Sequence, residues 1–332
     1  MRFSPTSNFL FRVSTDPAFG TGHIARLLAL RSCLSQTVTW FTDPGGRRSL
    51  ESSIPAQDSV IEEADITSVE RLKTHARETA AELIVCDSYH VSCDDLREAA
   101  IKTVYFCDYD KDNYPADFII VNYQPNAAPK SGWLTGPSFM PFNRRGKNQT
   151  EVDFRSLAQP VNCLVGFGSI DKNNVTSLAL SALLSDENLR KLVRPICLLG
   201  PHFKQTGAVE KLLELFPDAR LITDCSCVLD MPVACPLAIG APGVSHAERL
   251  YLGAATVLVP QISLHEDLCK GWQDEGCAIA ARPDIEDIED IANQMRALLA
   301  NNFEKAEEIS RRGQVVIDGK GASRIAEKIL ES

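Results

Sequence analysis

Phe9-Leu10-Phe11-Arg12-Val13-Ser14, followed by Phe19-Gly20-Thr21-Gly22-His23-Ile24-Ala25-Arg26, is the stretch that decides how the chain folds. Residues 9–14 read as a strand and residues 24–33 as a helix, with a two-glycine turn between them. In open α/β sheets ligands bind at the carboxyl ends of strands, and this turn lies at such an end. Gly20 and Gly22 let the backbone come close to a ligand. His23 falls at the helix start, where unpaired N–H groups favour an anion. The turn lacks the third glycine of a dinucleotide fingerprint, and no Gly-Lys-Ser/Thr follows it, which excludes a nicotinamide loop and an ATP phosphate loop. The same spacing also suits a tight strand–helix turn in which His23 is incidental.

Outward from this turn the pattern repeats. Further strands are expected at 38–42, 83–86, 103–107 and 118–122, and then at 161–166, 195–199, 220–222, 237–239, 256–259 and 277–280. Helices are expected at 69–80, 175–184, 209–215 and 246–252, with an apolar stripe from Ile288 to Leu299 and a last helix at 322–330. Most of the strand runs are continuously apolar, as strands buried on both faces are. Alternating strands and helices predict an α/β fold of two doubly wound parallel-sheet domains. The polar, basic stretch Phe139-Met-Pro-Phe-Asn-Arg-Arg-Gly-Lys-Asn-Gln-Thr150 marks the break. The boundaries expected are 1–145 for the first domain, 146–159 for a linker and 160–332 for the second, facing each other across a cleft.

The chain has 332 residues, of which 44% are apolar and 23% charged, with a net charge of −10. An acidic surface argues against nucleic acid as a partner. Residues 1–8 are polar and the following apolar run breaks at Arg12, so no signal peptide is expected. No stretch approaches the ~18 apolar residues of a membrane span. A soluble, cytoplasmic monomer is expected. The 11 cysteines sit mostly in strand-like runs and read as buried, reduced thiols. Cys225-Ser226-Cys227 with Cys235 lacks the usual zinc spacing, so no metal and no cofactor are expected.

Four more places offer chemistry. The run Val85-Cys86-Asp87-Ser88-Tyr89-His90 ends a strand in an Asp that could orient a histidine, hold a sugar hydroxyl or cap the helix near Cys93. The loop from Gly166 through Gly168, Asp171 and Asn174 to Thr176 leaves a strand and enters a helix, as a diphosphate cradle does. The turn Gly240-Ala-Pro-Gly-Val-Ser-His-Ala-Glu248 places Glu248 three residues after Ser245. That spacing fits a capping box, and equally a carboxylate gripping two ribose hydroxyls. His265 stands between an expected strand and the helix entering Cys269, and should face the same cleft.

Taken in order, Gly20–Arg26, Asp87-x-Tyr89, the loop 166–176, the turn 243–248 and the tail Val316-Ile-Asp-Gly-Lys-Gly-Ala-Ser-Arg324 resemble a known family. It is the UDP-2,4-diacetamido-2,4,6-trideoxy-β-L-altropyranose hydrolases of pseudaminic acid biosynthesis, and the resemblance spans residues 9–326. It implies a two-domain fold of glycosyltransferase-B type, related to the transferase that adds N-acetylglucosamine to lipid-linked muramyl peptide. It implies hydrolysis of a UDP-sugar by inverting attack of water, with a glycosyltransferase or an inactive nucleotide-sugar-binding protein as alternatives. By the same resemblance the first domain is the sugar and catalytic domain, and the second binds the nucleotide.

Carried over by position, His23, Asp87 and Tyr89 match the family's catalytic residues. Gly22, Gly168, Asp171, Asn174, Ser245 and Glu248 match its nucleotide and phosphate side, and Arg26 and His265 are possible substrate contacts. The chain departs from the family at Ile262-Ser-Leu-His-Glu-Asp267, where an Asn and a Gln are usual, at Ser169-Ile170, where Gly-Ser is usual, and at Asn143-Arg144, where the Arg is displaced by one step.

Overall fold

The computed structural model describes residues 3–16, 20–65, 67–97, 101–108, 114–115, 117–223, 225, 227–282 and 288–332. Phe19 of the first glycine turn, Ser226 of the cysteine cluster, and Met1 and Arg2 lie outside the described residues. The chain divides into two units, Met1–Asn143 with Gly319–Ser332, and Arg144–Asp318.

The first unit runs β1 (Asn8–Val13), α1 (Gly22–Arg31), β2 (Thr37–Thr42), α2 (Gly46–Leu50), β3 (Ser59–Glu62), α3 (Val69–Glu78), β4 (Ala81–Asp87), α4 (Cys93–Arg97), β5 (Lys102–Phe106), β6 (Ile119–Asn122) and β7 (Trp133–Thr135). Among the described residues these strands form one parallel sheet in the order β3-β2-β1-β4-β5-β6-β7. The chain winds outward from β1 in one direction, returns, and continues from β4 in the other. Phe9, Leu10, Phe11 and Val13 are wholly buried, as a central strand covered on both faces requires. Arg12, which interrupts that apolar run, is buried as well and donates to Asp43 Oδ1 at 3.0 Å.

The second unit runs β8 (Val161–Gly166), α5 (Val175–Leu184), α6 (Glu187–Leu192), β9 (Val193–Leu198), α7 (Thr206–Leu213), β10 (Arg220–Ile222), β11 (Leu237–Gly240), α8 (Val244–Tyr251), β12 (Ala255–Leu258), α9 (Leu264–Asp274), β13 (Ile279–Ala280) and α10 (Ile288–Val316). Its sheet is parallel, in the order β10-β9-β8-β11-β12-β13. The core packs Val161, Cys163 and Val165 of β8 with Leu180 and Leu183 of α5 and Met295 and Leu298 of α10. Helix α10 is broken at Ala300–Phe303, where Asn301, Asn302 and Phe303 take positive φ.

The last helix, α11 (Gly321–Glu331), belongs to the first unit. The sequence assigned 160–332 to the second domain, whereas Gly319–Ser332 groups with the first. The reason is a close approach: a Cβ at Gly321 would lie 2.2 Å from the Met140 carbonyl oxygen, so only glycine lets α11 dock there. Arg324 Nη1 donates to Ser138 O at 3.0 Å beside it. Strands β3 and β7 were not expected; each is a short run with two apolar residues set among polar residues, Gly and Pro. The expected strand 277–280 begins only at Ile279, because the Cys277 N–H closes α9 by donating to Trp272 O at 2.9 Å.

Among the described residues no helix is long and apolar enough to cross a membrane. The cysteines are free thiols, and Cys86, Cys163, Cys197 and Cys277 are buried. Burial pushes the thiols of Cys225's neighbours Cys227 and Cys235 up to about 12. Among the described residues no group of three or more His, Cys, Asp or Glu is placed to hold a metal ion.

Candidate functional site

Strand order in the first sheet reverses between β1 and β4, and ligands of such sheets bind beyond the carboxyl ends of the strands at that point. Register pairs Val13 with Asp87 there. His23 is the second residue of α1, and Thr21 at the helix N-cap gives no side-chain cap, so the first N–H groups of α1 are not capped from Thr21. Nothing lies within 4 Å of where a Gly22 Cβ would stand, so that face of the helix start is open.

His23 and Arg26 stand one helical turn apart and both reach Asp87. His23 Nδ1 lies 2.6 Å from Asp87 Oδ1. Arg26 donates from Nε to Oδ2 at 2.8 Å and from Nη2 to Oδ1 at 2.6 Å, a bidentate pair. Arg26 Nη2 and His23 Nδ1 are 2.8 Å apart, and both are satisfied as donors only if the carboxylate between them accepts from each. That places a hydrogen on Nδ1 and turns Nε2 away from Asp87, as the ring nitrogen left to meet a substrate. His23 is 3% exposed and Asp87 1%. Asp87 thus orients a histidine and does not cap the helix near Cys93.

A second carboxylate, which the sequence did not single out, completes the cluster. Asp108 follows β5 and accepts from Arg26 Nη1 at 3.0 Å, from the Tyr123 hydroxyl at 2.8 Å and from the Tyr89 hydroxyl at 2.7 Å. Arg26 also bonds the Tyr123 hydroxyl. Burial pushes the Asp108 carboxyl up, but the Arg26 guanidinium, with the Tyr89 and Tyr123 hydroxyls, outweighs it and holds it at about 2. Burial works against the Arg26 charge too, yet Asp108 and Asp87 keep it protonated. The Tyr89 ring stands edge-on to His23, with centroids 4.6 Å apart, and is 46% exposed. Asp108 sits two residues past β5, as Asp87 sits at the end of β4. The signal for it was the same, and Tyr123 carried none.

In the second sheet the order reverses between β8 and β11, where register pairs Gly166 with Gly240. The loop after β8 carries Gly168 and then Asp171. The Asp171 carboxylate accepts from Val175 N at 2.8 Å, Thr176 N at 2.9 Å and Thr176 Oγ1 at 2.7 Å, so it shapes the loop's entry into α5. Asn174, in left-handed conformation, donates to Gln205 Oε1 and accepts from Ser177 Oγ. Gln261, unremarked in the sequence, ties this loop to the one before α9. Its Nε2 donates to Asp171 Oδ1 at 3.2 Å, and its backbone N–H donates to His265 Nδ1 at 3.2 Å. His265 is half-buried, and that burial lowers its pKa.

The capping box at the next turn does not form. Gly243 is the N-cap of α8 and Ser245 lies inside the helix. Glu248 instead points back to the segment before β11, where its Oε2 accepts from Val228 N at 3.1 Å. Burial pushes its carboxyl up to about 7. The structure therefore groups His23, Arg26, Asp87 and Tyr89 in the first unit. In the second unit it links Asp171 to His265 through Gln261, and sets Ser245 and Glu248 on one helix.

No protein-family model matches the sequence, and no curated protein matches it. Solved structures do match the fold. MurG of Acinetobacter baumannii aligns with a TM-score of 0.67 at 16% identity, over 99% of this chain and 100% of its own. The calicheamicin glycosyltransferase CalG4 aligns at 0.68 and 13%, over 98% and 97%. The spinosyn rhamnosyltransferase SpnG aligns at 0.70 and 11%, over 98% and 100%. The chain has the two-domain parallel α/β fold of glycosyltransferase-B type that these proteins share. CalG4 and SpnG are named as sugar transferases, and nothing in these likenesses supports the hydrolase family that the motifs resemble.

Proposed function

We propose that the chain binds a nucleoside-diphosphate sugar and transfers the sugar to a hydroxyl acceptor. The observation that carries this reading is the buried His23–Asp87 pair beyond β1 and β4. The likeness in fold to glycosyltransferases supports it. Asp87 holds Nδ1–H, so Nε2 takes the proton of the acceptor hydroxyl. The freed oxygen attacks the anomeric carbon from the face opposite the diphosphate. The carbon–oxygen bond to the diphosphate breaks, the nucleoside diphosphate leaves with the electron pair, and the configuration inverts. General base catalysis of this kind contributes roughly 10²–10⁴-fold.

The exposed Tyr89 ring offers a face to the sugar. Glu248 receives the ribose hydroxyls, and the N–H groups of the loops after β8 and β11 receive the phosphates. Ser245 and Asn174 lie on those elements, and Asp171 shapes the first of them.

A second reading rests on the motifs around His23, Asp87 and Tyr89: water takes the place of the acceptor, and a UDP-linked deoxy-diacetamido sugar is hydrolysed. One assay separates the two. The protein is incubated with UDP- and TDP-sugars, with and without alcohol acceptors. Nucleoside diphosphate released only with acceptor supports transfer; release without acceptor, equal to free sugar, supports hydrolysis. Absence of both release and nucleotide binding defeats both.

A further inference from the structure

Arg249 on α8 is 1% exposed and lies where the second sheet reverses its order. Its Nη2 donates to Ala241 O at 2.6 Å, and Nη1 lies 3.4 Å from Ser245 Oγ. Among the described residues these are its only hydrogen bonds, and Nε is buried without a partner. A Cβ at Gly240 would stand 2.6 Å from Nη1 and 2.6 Å from Gly166 O, so glycine at 240 makes room for the guanidinium between the two strand ends. The charge therefore sits directly beneath the turn that begins α8 and beside the start of the loop after β8.

A guanidinium does not shed its proton, and burying one is costly unless a carboxylate pairs with it. Among the described residues no carboxylate bonds it, and the buried Glu248 favours its charge only from a distance. Glu248, next to it in sequence, spends Oε2 on Val228 N. Apolar side chains of similar length would fill the same space at lower cost. The turn above the guanidinium lacks a side-chain cap as well, which leaves the first N–H groups of α8 aimed outward.

We infer that Arg249 is a positioning and specificity-determining residue: a fixed positive charge under the Gly240–Ser245 turn that makes the second unit select a diphosphate over an uncharged nucleoside. This rests on the proposed nucleotide site. Arg249 does not touch the ligand. It holds the turn through Ala241 O and raises the potential at the phosphate position.

The test uses the full chain and four probes, UDP, TDP, uridine and thymidine, titrated by calorimetry or NMR. Arg249→Met is expected to weaken diphosphate binding by about tenfold, the scale of one fixed charge acting in a partly buried site, and to leave nucleoside binding within twofold. Arg249→Lys keeps the charge and should retain most of the wild-type ratio of diphosphate to nucleoside affinity. Equal losses for both ligand types, or a ratio that collapses in Arg249→Lys, would make Arg249 a structural clamp and overturn the inference. If Arg249→Met does not fold, Arg249→Gln, which keeps a donor for Ala241 O without the charge, takes its place with the same expected loss. A wild-type protein that binds none of the probes fails the functional reading itself, and the inference with it. A wild type that binds diphosphates, with an unchanged ratio in both variants, fails the inference alone.

Discussion

His23 Nδ1 lies 2.6 Å from Asp87 Oδ1 although 64 positions separate them in the chain. The pair exists because β1 and β4 are neighbours in the sheet and each ends at the same level. With Nδ1–H held, the imidazole presents one basic nitrogen. His23→Ala is expected to lower turnover by roughly 10²–10⁴-fold while UDP affinity stays within a few-fold. Steady-state rates and calorimetric titration of the same preparation check this, and a variant with near wild-type kcat removes His23 as the base.

Asp108 gives a prediction about acid stability. Its folded carboxyl is held at about 2 against an ordinary value of 3.8, by Arg26 first among the groups that offset its burial. A depressed carboxyl contributes stability above its unfolded pKa and loses it as pH falls through the folded one. The contribution is about 2 kcal/mol at neutral pH and fades between about pH 4 and 2. Asp108→Asn should therefore unfold more easily in urea at pH 6, with the gap to the wild type shrinking to about a third at pH 2.5. An equal gap at both pH values would show that the loss is packing and not charge.

The strands were legible in sequence where they are long and central, as at Val161–Gly166, because a strand covered on both faces is apolar throughout. The edge strands Ser59–Glu62 and Trp133–Thr135 are short and set among polar residues, Gly and Pro, which hides them. His23 and Asp87 were legible because each follows a recognisable strand. Asp108 lies just beyond a strand in the same way, and no local run marks Tyr123 or Gln261. Asp108 and Tyr123 owe their roles to strand order, which brings the ends of β4, β5 and β6 together, and Gln261 owes its role to the meeting of the loops after β8 and β12; neither is written in any local run. Ser245 with Glu248 is the converse. The spacing fits a cap, but α8 begins at Val244, and Glu248 then turns away from its own N-terminus toward Val228.

Glu248 titrates in the opposite sense to Asp108. Burial raises its folded carboxyl to about 7 from an ordinary 4.5, so folding takes up a proton and ionisation costs stability as pH rises. The cost is absent below about pH 4.5, grows toward 7 and levels off above it, at about 3 kcal/mol. Glu248→Gln keeps an acceptor for Val228 N and should melt higher than the wild type at pH 8.5, with no difference at pH 4.5. In the proposed site the same variant binds UDP about tenfold more weakly, the scale of one charge-assisted hydrogen bond. A variant that gains stability and binds UDP normally separates the carboxylate from the nucleotide.

His265 Nδ1 accepts the Gln261 N–H at 3.2 Å, and Gln261 in turn donates to Asp171, which shapes the loop after β8. The imidazole must be neutral at Nδ1 to accept. Burial lowers its pKa below the ordinary 6.5, so the unfolded chain takes up the proton first and the folded loop is lost as pH falls below that range. Protonation would turn Nδ1 into a donor facing another donor and detach Gln261 from α9. UDP affinity is therefore expected to fall as pH drops from about 7 to 5. In His265→Gln an amide oxygen takes the N–H at every pH, so its affinity curve should differ from the wild type only by the slope that UDP's own ionisation imposes. Titrations of both proteins across that range decide the matter: superimposable curves mean that the His265–Gln261 contact does not govern the loop.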